Sequence, residues 1–155
     1  MKLTVILYRF AHQLYLWHVP LIPVGIDYLL RIVFSCWVPH SMMAGKGLVL
    51  GYGGLGVVIH RQAKIGKNVH IDQNVTIGGN AKEFGVPVIE DNVYIGAGAV
   101  IIGPVTIGHS SIIGANAVVN NSIPPCSLAV GVPAVIKKQN INSQTFLHHK
   151  KPGRL

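Results

Sequence analysis

The stretch Val88–Val119 reads VIEDNVYIGAGAVIIGPVTIGHSSIIGANAVV, and its spacing decides the fold. Isoleucine recurs at 89, 95, 101, 107 and 113, and Val119 continues the count. Traced backwards, the same step of six meets Ile77, Ile71, Ile65 and Ile59, with Glu83 as the one break. The fourth residue after each is small or apolar almost throughout, as at Ala63, Val69, Val75, Ala99, Val105 and Ala117. Gly follows the repeat isoleucine at 66, 78, 96, 108 and 114.

A lasting period of six fits neither a 3.6-residue helix nor simple two-residue alternation. Short strands with a bend every six residues do produce it, because branched side chains point inward while small or polar residues turn the corner. Three such sides close a coil of about 18 residues, and coils stack through parallel ladders about 4.8 Å apart. The sequence therefore predicts an all-β parallel β-helix over residues 46–136, with Gly45–Val58 supplying a less regular first coil. Residues 78–87 (GGNAKEFGVP) place polar and charged groups where a strand is due. This reads as an extruded loop that keeps the count in phase, with Asn80 and Lys82 as candidate substrate contacts.

Residues 1–45 form an apolar lead-in that holds seven of the eleven aromatics. Two short helices are expected, over about 4–17 and 24–38, punctuated by Pro20, Pro23 and Pro39. Asp27 and Arg31 stand four apart, as an ion pair along a helix would, and their charges disfavour a membrane span through Leu21–Val38. The lead-in either packs on the rest of the protein or a partner subunit, or attaches peripherally to a membrane through its aromatics and basic residues.

With 155 residues, mean hydropathy +0.46 and 12% charged residues, the chain fits one domain and excludes a disordered or coiled-coil protein. Of 13 Lys and Arg, five lie in residues 137–155, a basic tail, and the net charge is +8. No aromatic-interleaved basic stripe points to nucleic acid. Cys36 and Cys126 form no CxxC, and the start is a poor signal peptide, so a reducing cytoplasmic setting is expected.

The blocks GYGGLGVVIHRQAKIGKNVHIDQNVTIGG, PVIEDNVYIGAGAVIIGPVTIGHSSIIGANAVV and IPPCSLAVGVPAVI, within residues 51–136, resemble the hexapeptide-repeat acyltransferases. The resemblance is strongest to serine acetyltransferases and related polysaccharide-biosynthesis acetyltransferases. It implies a left-handed helix, a homotrimer with sites between neighbouring prisms, and transfer of an acetyl group from acetyl-coenzyme A (acetyl-CoA). It also implies cofactor contacts at Ala97 and Ala115, one coil apart, and at the Gly131–Pro133 turn, with Lys137 and Lys138 available to the phosphates.

Direct transfer needs a general base, and imidazole titrates in the right range. The family's histidine, found in contexts such as DHATG or GHGGLG, is missing here: the block reads Gly51-Tyr52-Gly53-Gly54-Leu55-Gly56. A second family histidine is replaced by Val86. His60 is the expected base; His70, 18 residues after Tyr52, is the alternative, and Tyr52 is expected to orient substrate or donate to the oxyanion. His60, His70 and His109 lack the spacing of a three-histidine metal site, so no metal is expected. The expected reaction is O-acetylation of a sugar hydroxyl of a surface polysaccharide or its precursor. Serine acetylation and a non-catalytic trimeric scaffold are the alternatives.

Overall fold

A computed structural model describes residues 3–80 and 83–143 of the chain. Two helices, α1 (Leu3–Leu16) and α2 (Ile22–Phe34), precede a β-solenoid of about four turns. Its first face stacks β1 (Met43–Ala44), β4 (Lys64–Ile65), β7 (Val88–Ile89) and β10 (Thr106–Ile107). The second stacks β2 (Val49–Leu50), β5 (His70–Ile71), β8 (Tyr94–Ile95), β11 (Ile112–Ile113) and β13 (Leu128–Val130). The third stacks β3 (Val58–Ile59), β6 (Thr76–Gly78), β9 (Val100–Ile102) and β12 (Val118–Val119). All these pairings are parallel; a final strand, β14 (Val135–Lys138), runs antiparallel to β13.

The period of six is the period of the faces. Ile59, Ile71, Ile77, Ile89, Ile95, Ile101, Ile107 and Ile113 are at most 1% exposed and form one continuous column. The corners are built from complementary residues in successive coils. Gly56 has φ +67°, and a methyl group there would come within 2.0 Å of the Asn74 Oδ1 above it. Gly98 stands in the same relation to Asn116. Each asparagine is itself left-handed, at φ 59° and 55°, a conformation this residue tolerates.

Between β6, which ends at Gly78, and β7, which starts at Val88, the chain leaves the ladder, and Ile77 and Ile89 stay in the column on either side. Glu83 leaves the series because it belongs to this loop, where Asn80 Oδ1 accepts its backbone N–H at 2.7 Å. Lys82 lies outside the described residues.

The helices differ from expectation in two respects. Pro23 lies inside the first turn of α2, where its missing N–H costs nothing, and the helix ends at Phe34 with Ser35 left-handed rather than running to residue 38. Asp27 and Arg31 do not pair with each other. Asp27 is buried and bonds His40, while the Arg31 guanidinium lies 5.7 Å from the centre of the Trp37 ring.

Helix α1 packs onto the open end of the solenoid through Thr4, Tyr8 and Ala11, one buried stripe at helical spacing. Its polar groups serve the first coil's unpaired carbonyls: Thr4 Oγ1 donates to Gly53 C=O at 2.6 Å and Tyr8 Oη to Met42 C=O at 2.8 Å. The two Arg9 nitrogens donate to Ala44 and Gly45. Solenoid pairing accordingly starts inside the lead-in, with Trp37 bridging Val58 and Met43 facing Lys64.

Candidate functional site

The outer side of the second face carries a groove of about 780 Å³. Along it Tyr94, Ile112 and Leu128 follow one another up the ladder, and Ala97 and Ala115 line its corner edge. Lys138 enters from the other end because β14 turns back to pair with β13, setting Lys138 opposite Leu128. The chain then returns over the last coil, where Ile141 N–H donates to Cys126 C=O at 2.9 Å, so that Ile141 and Asn142 complete the lining.

Close stacking at the corner depends on the absence of side chains: a Cβ on Gly96 would meet the Ala115 nitrogen at 2.7 Å. Among the described residues no hydrogen bond engages the amide N–H of Ala97 or Ala115. A narrow, mainly apolar trough with free amides along one edge and a lysine at one end fits the pantetheine arm and phosphates of coenzyme A. Ala97, Ala115 and Lys138 would hold it; Gly131, Pro133 and Lys137 are exposed on the closing hairpin and do not line the groove.

At the other end of the groove lies a cluster of polar side chains. His70 lies in β5 and Asp72 directly follows that strand, so the two, two residues apart, project to the same side. His70 Nε2 donates to Asp72 Oδ1 at 3.0 Å, and Tyr94, in register with His70 on the next coil, donates its hydroxyl to Asp72 Oδ2. The two rings lie 5.3 Å apart. Burial first, then the Asp72 carboxylate and the neighbouring Tyr52, hold the Tyr94 phenol protonated far above its usual range. Tyr52 itself projects from a 3-10 turn, Gly51–Gly54, with a left-handed backbone and a 74% exposed side chain.

His60 lies elsewhere. It lines a cleft of about 1000 Å³ between the helices and the corner of the first and third faces, and the residues of this cleft and of the groove do not overlap. Its Nδ1 accepts the Gln62 N–H at 3.2 Å. Across the same cleft, Asp27 accepts both the backbone N–H of His40, at 2.9 Å, and its Nδ1, at 2.7 Å. Burial pushes the Asp27 carboxyl above its ordinary range, and the bonds and charge of His40 oppose that shift.

The structure thus brings Ala97, Ala115 and Lys138 together, sets His70 against Asp72 and Tyr94 of the same lining while His70 and Tyr52 themselves stand outside it, and leaves His60 apart in the other cleft. Asn80 braces the loop by bonding Glu83. Two residues of the groove cluster, Asp72 and Tyr94, escaped sequence reasoning. The alternation His70-Ile71-Asp72, about the inward repeat Ile71, was the available signal; nothing local linked Asp27 to His40. Among the described residues no group of His, Cys, Asp and Glu could hold a metal ion, and no helix is long and apolar enough to cross a membrane.

Residues 87–121 match the bacterial transferase hexapeptide family (six repeats). A serine acetyltransferase of Staphylococcus xylosus is 40% identical over 146 residues, covering 92% of this chain and 67% of that protein. That of Bacillus licheniformis is 36% identical over 135 residues, covering 86% of this chain and 62% of the relative. Among solved structures, serine acetyltransferase from Brucella abortus in complex with coenzyme A superposes with TM-score 0.83 at 32% identity, covering 89% of this chain and 56% of that one. Soybean serine acetyltransferase complexed with serine gives 0.80 at 36% identity, with 86% and 55% covered. The chain therefore spans little more than half the length of these solved proteins. By its repeat, its solenoid and its likeness to the Staphylococcus protein along nearly all its length, the chain belongs to the serine acetyltransferase family of hexapeptide-repeat transferases.

Proposed function

We propose that the protein is an acetyl-CoA-dependent O-acetyltransferase whose acyl donor lies in the groove of the second face. The observation that carries this reading is the convergence of Ala97, Ala115 and Lys138 on one trough whose lining also holds Asp72, the carboxylate that His70 bonds from beside it. The superposed Brucella structure holds coenzyme A, which supports the same donor here. Bound acetyl-CoA supplies an activated thioester. The protein's part is to hold the pantetheine arm against the small-residue corner, pair its phosphates with Lys138, and take a proton from the acceptor hydroxyl.

Serine is the proposed acceptor. The relatives described above are serine acetyltransferases, and the polysaccharide sugar expected from the missing family histidine finds no counterpart among them. Self-association accompanies this reading. Leu21, Ile32 and Val33 of the helical segment are 81%, 77% and 59% exposed, an apolar surface that assembly would cover.

Thiol release from acetyl-CoA, followed with serine and with a panel of nucleotide sugars, tests the proposal. Turnover with serine is expected. Release only with a sugar would restore the polysaccharide reading, and no release with any acceptor by folded protein would reject the enzyme.

A further inference from the structure

Resting on that reading, we propose that His70 is the general base of the transfer and that Asp72 and Tyr94 are the residues that position it. Three observations on the second face lead there.

The first is the bonding of the imidazole. Donation of Nε2–H to Asp72 leaves the lone pair on Nδ1, and no hydrogen bond among the described residues occupies that atom. A carboxylate on the far nitrogen fixes the tautomer and the ring plane, and it stabilises the imidazolium that forms when the near nitrogen takes a proton. The second is the bonding of the carboxylate. Asp72 is 8% exposed, and its other oxygen accepts the Tyr94 hydroxyl, so neither oxygen is free to turn toward a ligand and the pair keeps one geometry. The third is placement. Asp72 and Tyr94 line the same groove as Ala97, Ala115 and Lys138, whereas the imidazoles of His60 and His40 open into the other cleft. Among the described residues His60 has no carboxylate partner, and the carboxylate that His40 bonds, Asp27 of α2, lines the other cleft and not the groove.

The chemistry balances without a further reactant. His70 Nδ1 takes the proton of the acceptor hydroxyl as that oxygen bonds to the acetyl carbon. The carbon–sulfur bond then breaks, and the imidazolium returns the proton to the departing sulfur, giving the O-acetyl ester and free thiol.

Steady-state thiol release with serine, measured on the full chain, provides the test. His70→Gln keeps an amide donor for Asp72 without a titratable nitrogen, and should lower kcat by about 10² to 10⁴ while leaving coenzyme A binding in place. His70→Ala should show a similar loss, partly restored by added imidazole. Asp72→Asn should lower kcat about 10- to 100-fold without weakening coenzyme A binding, and Asp72→Glu should recover part of that loss. A His70→Gln enzyme with parental kcat overturns the assignment, as does a loss of that size in His60→Ala with His70 intact. A parental protein that releases no thiol with any acceptor overturns the O-acetyltransferase reading and this inference together; normal turnover in His70→Gln overturns the inference alone.

Discussion

Gly51 lies directly beneath Asp72: a methyl group at residue 51 would come within 2.6 Å of Oδ1 and 3.1 Å of the Asp72 Cα. That oxygen is the one His70 holds, so the bare backbone at Gly51 is what lets the carboxylate stand where it does. Gly51→Ala is expected to push the carboxylate off the imidazole and lower kcat about tenfold, a larger effect on turnover than on coenzyme A binding. Kinetics beside a binding titration check this, and unchanged kcat would separate Asp72 from the chemistry.

Lys138 is the groove's lysine, and a phosphate contact there is charge-assisted and partly screened by salt. Lys138→Ala should weaken coenzyme A binding about 3- to 10-fold at low ionic strength, and less at high. Calorimetric titration at two salt concentrations measures it. Equal affinity for parent and variant at low salt would place the phosphates elsewhere.

Alkaline pH should destabilise the fold through two buried acids. Burial raises the Cys36 thiol from 9.0 to about 11, and the Tyr8 phenol, against a smaller opposing effect of Arg9, from 10.0 to about 12. In each case the unfolded chain releases its proton first. Stability from Cys36 is therefore intact below pH 9, falls as pH rises, and is lost above about pH 11, with a span on the order of 2–3 kcal/mol. Denaturant melts across this range should show Cys36→Ala losing less stability than the parent; parallel curves would contradict the assignment.

In the inner column, Ile101→Ala should cost about 2–5 kcal/mol and Ile101→Val about 0.5–1.5 kcal/mol, because packed coils above and below cannot collapse into the space. Equilibrium urea unfolding reads both, and a cost for Ile101→Ala under 1 kcal/mol would show that the column is not close-packed there.

The solenoid was legible because each coil repeats the same demand on the same positions, so that Ile95, Ile101 and Ile107 announce three faces without any knowledge of long-range contact. That Ala97 and Ala115 stand at the same corner of successive coils, and so line one groove, was legible for a similar reason: they are 18 residues apart, one coil of the repeat. Asp72 was harder, since its significance depends on Tyr94 lying one coil away with the extruded loop between them, which stretches the usual 18 residues between ladder partners to the 24 that separate His70 from Tyr94. The Asp27–His40 pair was illegible, because it joins a helix to the turn after it and displaces the Asp27–Arg31 pairing that local spacing favours. The helical end at Phe34 was missed because aliphatic residues continue beyond it: Val38 goes on to pack in the solenoid core.

The hydrogen bonds of Thr4, Tyr8 and Arg9 have a bearing on how this protein behaves at high concentration. A stack of parallel coils has open edges at both ends, and an unsealed edge invites another molecule to continue the ladder into a fibre. Here α1 occupies carbonyls of the first coil with side-chain donors, and the reversed strand β14 takes the edge of β13, so neither offers the next molecule a matching row. The polymerisation hazard of a repetitive fold is thus contained by three residues near the N-terminus and one change of strand direction, and Tyr8→Phe combined with Arg9→Ala would be the shortest route to releasing it.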